Sequence, residues 1–313
     1  MFKPLKYFLG KLIGRKLVMS HVEDADGIAS AAIALRKYRN ALLYLTTPAH
    51  LNKAGKYSWI NLIGWDIVCD LPCPARTFLW VDHHKTNVSR AKKAFHDPEA
   101  PCAAILLLKA LNLEEDPIAR KLAELAVQTD TANITTQEAW DLNDAVKGSP
   151  THEREWLAKQ LALKGLEALK DSKVAYWIRR NREVRERTFN LAEKLDPYPV
   201  MIVVFPEQTE RFSHRALILN LEKKGARVVA VLMSRNGVKW RVSLGRGDEE
   251  IDCSEYAAKL GGGGHPAAAG ATVRMSLNEL IEKLLEMFPR DKVAIYQVDS
   301  KLEVASLKII NPK

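Results

Sequence analysis

"HVEDADGIAS", His21 to Ser30, follows directly on the apolar run Lys16 to Met19 and leads into a segment of helical periodicity, Ala29 to Tyr38. Strand, acidic turn and helix make the βα unit from which parallel sheets are built, so this stretch decides the fold of the first half of the chain. The turn is crowded: six residues hold a histidine, a glutamate and two aspartates. Carboxylates this close repel one another, and burying them unpaired is expensive. Either they are solvated turn residues, with Asp24 or Asp26 capping the helix, or a cation holds them.

Further near-continuous apolar runs lie at Ala41 to Thr46, Trp59 to Trp65 and Thr77 to Val81, as expected of parallel strands buried on both faces. Helical periodicity recurs at Ala103 to Leu111 and Ile118 to Gln128. The alternation predicts a doubly wound α/β domain, in which ligands bind beyond the carboxyl ends of the strands. Acids and histidines fall at those expected ends. His21, Asp24 and Asp26 follow the first strand, Asp66 follows Trp59 to Trp65, Asp82, His83 and His84 follow "TFLWV", and Asp130 opens "DTAN" after a helix. Any one of these is weak; adjacent histidines or a lone aspartate are usually incidental. Together they form a donor set of carboxylates and imidazoles without thiolate, which suits manganese or magnesium. There are enough donors for two ions, the arrangement that hydrolyses phosphoesters.

With 313 residues and 47% hydrophobic content, the chain is long enough for two domains. A net charge of +9 and a pI near 9.3 favour a polyanionic partner, of which nucleic acid is the natural candidate. Cys69, Cys73, Cys102 and Cys253 show no paired CxxC spacing and read as reduced cytoplasmic thiols. Met1 to Arg15 is basic and amphipathic but lacks the uninterrupted apolar core of a signal peptide. It reads as a helix packed on its own domain, with a membrane surface as the alternative; no spanning segment and no membrane partner are expected.

From Thr151 to Leu195 the pattern is helical and charged, ending in the cluster Arg179, Arg180, Arg182, Arg185 and Arg187, and reads as a helical connector. "DPYPV" punctuates it. Strands are then expected at Val200 to Phe205, Val228 to Ser234, Lys239 to Leu244 and Ala271 to Val273, with helices at His214 to Lys224 and Ser254 to Leu260. The run Gly261, Gly262, Gly263, Gly264 lets backbone amides approach a ligand such as phosphate, or is simply a flexible turn. Pro266 fits a first helical turn, and Arg241 and Arg246 are candidate phosphate contacts.

The elements "HVEDADG", Asp66, "VDHHKTN" (Val81 to Asn87), "TDTAN" around Asp130 and "GGGGHPAAAG" (Gly261 to Gly270) occur in an order that resembles the DHH phosphoesterases over nearly the whole chain. That family includes RecJ-type single-strand nucleases, bacterial nanoRNA hydrolases and family II inorganic pyrophosphatases. The resemblance implies a DHH catalytic domain over 1–150, the connector over 151–196 and a smaller α/β substrate-binding domain over 197–313. It implies one manganese on His21, Asp24 and Asp66 and a second on Asp26, Asp66, His83 and Asp130, with magnesium or cobalt as substitutes. Glu23 and Asp70 are the nearby alternatives to Asp24 and Asp66; Asp66 is preferred for its expected place at a strand end. His84 would face the scissile phosphate, oriented by Asp82, and the glycines with His265 would hold the substrate's far end. The implied activity is removal of residues from an end of short or single-stranded RNA or DNA, with a homodimer or replication and repair proteins as possible associates. A nucleotide bisphosphate phosphatase, a cyclic-dinucleotide phosphodiesterase and a non-catalytic replication scaffold are the other readings.

Overall fold

The computed structural model describes residues 3–311, in two compact units, Met1–Asn181 and Arg182–Lys313. The first unit runs α1 (Lys3–Leu12), β1 (Leu17–His21), α2 (Ala25–Lys37), β2 (Leu42–Thr46), α3 (Pro48–Asn52), α4 (Trp59–Leu62), β3 (Trp65–Cys69), β4 (Thr77–Asp82), β5 (Lys93–His96), α5 (Ala103–Ala110), α6 (Pro117–Asp130), α7 (Gln137–Gly148), α8 (Arg154–Lys164) and the start of α9 (Ser172–Glu193). Its five strands form one parallel sheet, ordered β2-β1-β3-β4-β5. Successive side chains point to opposite faces. Val18, Leu43, Ile67 and Leu79 therefore meet Ile28 and Ile33 of α2 in one core, while Leu17, Leu42, Val68 and Trp80 meet Tyr7 of α1 and Ile60 of α4 in the other. Two buried faces explain why these strands read as continuous apolar runs, and the expected doubly wound α/β fold is the one observed.

The run Trp59 to Trp65 is not one strand. Its first half is the helix α4, which buries Ile60, and β3 begins only at Trp65. An apolar run this short suits a buried strand or a buried helical turn equally, and Gly64 breaks this one between the two. Asp66 consequently lies at the amino end of β3. Its carboxylate accepts hydrogen bonds there from Lys11 Nζ at 2.6 Å, Lys16 Nζ at 3.1 Å and the Leu17 amide at 2.9 Å. Asp70, not Asp66, follows the carboxyl end of the strand.

The segment read as a connector also differs. Leu157, Leu161, Val174, Trp177 and Ile178 belong to the same core as Ile28, so residues as far as Asn181 are part of the first unit. Charge dominates the composition of this stretch, but a few apolar residues at helical spacing suffice to dock it.

The second unit contains β6 (Val200–Phe205), α10 (His214–Lys223), β7 (Val228–Ser234), β8 (Lys239–Arg246), α11 (Cys253–Lys259), β9 (Gly263–His265), β10 (Ala268–Arg274), α12 (Leu277–Met287), β11 (Val293–Val298) and β12 (Val304–Ile310). They build a mixed sheet ordered β12-β11-β6-β7-β8-β10-β9. Pro266 does not open a helix. It lies with Ala267 in the turn of an antiparallel hairpin, where His265 of β9 pairs with Ala268 of β10. Among the described residues, no helix is long and apolar enough to cross a membrane.

Candidate metal centre

The sheet delivers its chemistry where four segments end. β1 finishes on His21, β4 on Asp82 and α6 on Asp130, while Asp70 follows β3. His21 Nδ1 lies 2.8 Å from Asp24 Oδ2 and 3.2 Å from Asp70 Oδ2. His83 Nε2 lies 3.5 Å from Asp130 Oδ2 and 3.9 Å from Asp70 Oδ1, and His84 Nδ1 lies 3.6 Å from that Asp70 oxygen. Donor atoms within 4.8 Å of one another make three groups: His21, Asp24 and Asp70; Asp26, His83 and Asp130; and Asp70, His83 and His84. Asp70 and His83 each belong to two of them.

Local chemistry fixes each donor. Asp24 caps α2 by accepting the Gly27 amide at 2.9 Å. Gly27 has no alternative, since a Cβ there would sit 2.3 Å from the His21 carbonyl oxygen. Both oxygens of the buried Asp26 accept backbone amides at the start of α5, from Ala103 and Ala104 at 2.8 Å each. Asp70 is only 3% exposed and takes a left-handed conformation, φ 54°. A non-glycine residue there is uncommon, and such outliers gather at functional sites. Asp82, fully buried, accepts from His84 Nδ1 at 2.8 Å, from the His83 amide at 2.9 Å and from Asn87 Nδ2 at 2.5 Å. Two cations of the first unit hold the loop after β1: Arg154 Nη1 donates to the Val22 carbonyl and Lys147 Nζ to the Glu23 carbonyl, each at 2.7 Å.

The charge in this cluster is incompletely neutralised by protein. Burial, then the charge of neighbouring Asp70, pushes the Asp26 carboxyl well above the usual range. Burial does the same to Asp70, which rises to about 7, and to Asp130. At His21 burial opposes a charged ring, but the carboxylates of Asp24 and Asp70 outweigh it and hold the imidazolium up to about 10. For Asp24 the contact with that imidazolium overcomes burial, lowering its carboxyl to about 2. The hydrogen bond to Asp82 raises His84 to about 8. His21 Nε2 and His83 Nε2 are buried without hydrogen-bond partners. Orphaned imidazole nitrogens among repelling carboxylates fit divalent cations, which would supply the charge that the imidazolium of His21 now provides.

Of the residues proposed from the sequence, His21, Asp24, Asp26, His83 and Asp130 come together here, with His84 and Asp82 alongside. Asp66 does not; Asp70 stands where it was expected. Glu23 is exposed, with its carboxylate 3.6 Å from His21 Nε2. Asn87 was overlooked although it closes "VDHHKTN", whereas nothing in the local sequence around Lys147 and Arg154 marked them.

In the second unit a cavity of about 680 Å³ is lined by Gly261, Gly262, Gly263 and Gly264, together with Arg241, His214 and Arg215. Arg246 is not a free phosphate contact. Its Nη1 donates to the carbonyls of Glu249 and Ile251, closing the turn after β8. The side chain of His265 lies outside the described residues. His214 Nδ1 lies 3.1 Å from Ser243 Oγ, and burial together with Arg241 lowers its pKa to about 4, so this ring is neutral at pH 7.

Residues 198–290 match the DHHA1 domain family. No curated protein matches the chain in sequence. Among solved structures, the fold is similar to a pGpG-specific phosphodiesterase, PggH, from Vibrio cholerae, at 18% identity and a TM-score of 0.64, covering 87% of this chain and 97% of that one. It is also similar to exonuclease RecJ bound to manganese, at 15% identity and a TM-score of 0.51 over 91% of this chain and 92% of that one. An exopolyphosphatase-related protein from Bacteroides fragilis aligns at 14% identity and a TM-score of 0.51, over 92% and 96% of the two chains.

Proposed function

We propose that this chain, whose residues 198–290 match the DHHA1 domain family, is a DHH-type, manganese-dependent phosphodiesterase that removes nucleotides from an end of short or single-stranded nucleic acid. The observation that carries this reading is the sharing of Asp70 and His83 between neighbouring donor groups, which supports a centre of two closely spaced ions. One ion would be held by His21, Asp24 and Asp70, the other by Asp26, Asp70, His83 and Asp130, with Asp70 between them. Bound there, such ions lower the pKa of a water and stabilise charge on attacking and leaving oxygens.

The chain's own groups supply the rest. His84 holds a proton near neutrality and keeps Nδ1 on Asp82, which leaves Nε2 to protonate the leaving oxygen. Asn87 secures the far oxygen of Asp82 and so fixes the ring's orientation. In the second unit, Arg241 and Arg215 offer guanidinium donors beside a glycine run that permits close backbone approach, which suits a terminal phosphate. The basic net charge, +9, supports a polyanionic substrate.

The test is hydrolysis of end-labelled RNA and DNA, graded from dinucleotides to twenty-mers, with manganese, magnesium, cobalt or chelator. Successive loss of single nucleotides with manganese supports the reading. Turnover of nucleotide bisphosphates or cyclic dinucleotides alone, or no metal-dependent turnover at all, refutes it.

A further inference from the structure

The helix α1 is fixed to the sheet by one narrow face. Tyr7 is buried and its hydroxyl donates to the Leu43 carbonyl at 2.8 Å, while its ring stacks on Trp59 with centroids 5.6 Å apart. One turn on, Gly10 lies so close to β2 that a Cβ would come within 2.2 Å of the Leu42 side chain. With Tyr7 and Gly10 turned inward, helical geometry sends positions 5, 8, 9 and 12 to the opposite side. All are apolar, and all are exposed: Leu5 48%, Phe8 40%, Leu9 44% and Leu12 82%, with Ile13 at 75% extending the stripe past the helix end. Rotation to bury this stripe would withdraw Tyr7 from its hydrogen bond with the Leu43 carbonyl and break the Gly10 approach.

The surroundings of the stripe say what covers it. No acidic residue occurs before Glu23, whereas Lys3, Lys6, Lys11, Arg15 and Lys16 do. Two carboxylates reach this group: Asp66 lies near Lys11 and Lys16, and Glu155 lies 3.7 Å from Lys6. Among the described side chains, the four cations Lys6, Lys11, Arg15 and Lys16 against two anions leave the face positive. On the helix wheel, Lys6 and Lys11 flank the stripe on its two sides. A second copy of this face would bring like charges together, and nucleic acid offers its phosphates but no apolar layer for leucine and phenylalanine. An anionic lipid surface offers both: acyl chains for the stripe and headgroups for the flanking amines.

We infer that α1 is an in-plane docking helix that binds this protein reversibly to anionic membranes, with Leu5, Phe8, Leu9, Leu12 and Ile13 entering the headgroup boundary. Its burial face belongs to the fold, and its outward face to the lipid. Hydrolysis would then take place at a membrane surface, whichever substrate the metal centre takes.

Co-sedimentation of the full chain with phosphatidylglycerol or phosphatidylcholine vesicles tests this. Binding is expected to the anionic vesicles at 0.1 M salt, at least tenfold weaker to the neutral ones and severalfold weaker at 1 M salt, where screening is stronger. Leu9→Glu combined with Leu12→Glu should lower the vesicle partition coefficient at least tenfold with unchanged melting temperature and phosphodiester hydrolysis. Leu12→Ala should give a smaller loss in the same direction. A chain that stays in the supernatant with anionic vesicles overturns the inference, as does undiminished sedimentation of the double variant. A dimer in sedimentation velocity that the double variant dissolves would assign the stripe to a second copy instead.

Discussion

Asp70→Asn separates a ligand from a bystander more sharply than any other substitution in this chain. Asparagine preserves the shape of the side chain and also tolerates the left-handed backbone at φ 54°, so the perturbation is the removal of charge from a carboxylate shared by two donor groups. If Asp70 lies between both ions, kcat/KM for a small phosphodiester should fall at least a thousandfold, about 4 kcal/mol of transition-state stabilisation at 1.36 kcal/mol per tenfold. Bound manganese, read by atomic emission, should fall with it. Stability should move the other way in the metal-free protein. The Asp70 carboxyl, raised to about 7 by burial and the nearby Asp24, binds protons in the folded chain that it has lost when unfolded between about pH 4 and 7. The fold therefore loses stability as pH rises through that window. At pH 8 the metal-free variant should melt above the wild type, yet gain nothing from manganese. Asp66→Asn is the control: it weakens contacts with two partly exposed lysines, each worth roughly 0–1 kcal/mol, and should keep activity and metal. An active, metal-loaded Asp70→Asn, or a dead Asp66→Asn that has lost its manganese, would refute the assignment.

Asp24→Ala should empty the first metal position and cost about 1 kcal/mol from the lost helix cap, whereas Glu23→Ala should leave manganese occupancy near wild type; metal analysis with thermal melts decides. Gly263→Ala should fold normally, because a Cβ there meets nothing within 4 Å, while raising KM for oligonucleotides and sparing a small phosphodiester; equal kinetics on both substrates would remove the glycine run from recognition. His214, held near 4 in the fold by burial and Arg241 against about 6.5 in the unfolded chain, is protonated more readily once unfolded. Stability should thus decline as pH drops from about 6.5 to 4, by at most about 3 kcal/mol, and His214→Phe should flatten that slope in pH-resolved melting.

The parallel sheet was legible because its strands are apolar on both faces, and β1 and β4 place His21 and Asp82 at their ends just as their patterns imply. β3 was misread because periodicity cannot divide Trp59–Trp65 into helix and strand. That single error moved the shared carboxylate from Asp70 to Asp66. What would have corrected it is tertiary: α1 and the start of β1 carry Lys11 and Lys16 to Asp66. The same limit hid Lys147 and Arg154, whose contacts with the loop after β1 span 124 and 132 residues. The glycines of "GGGGHP" carry no strand signal of their own, yet Gly263 and Gly264 enter a β-hairpin, because strand pairing with β10 overrides low intrinsic strand preference.

The two amides that α5 presents to Asp26 bear on how the proposed metal centre would be held together. In small zinc domains the ion is the core, and withdrawing it unfolds the chain. Here a main-chain clamp seats the buried carboxylate of Asp26, and Ile28 and Leu107 pack in an apolar core to which no ion need contribute. In the proposed centre, loading and unloading would then be exchange events within a scaffold that the apolar core and the main-chain clamp already hold.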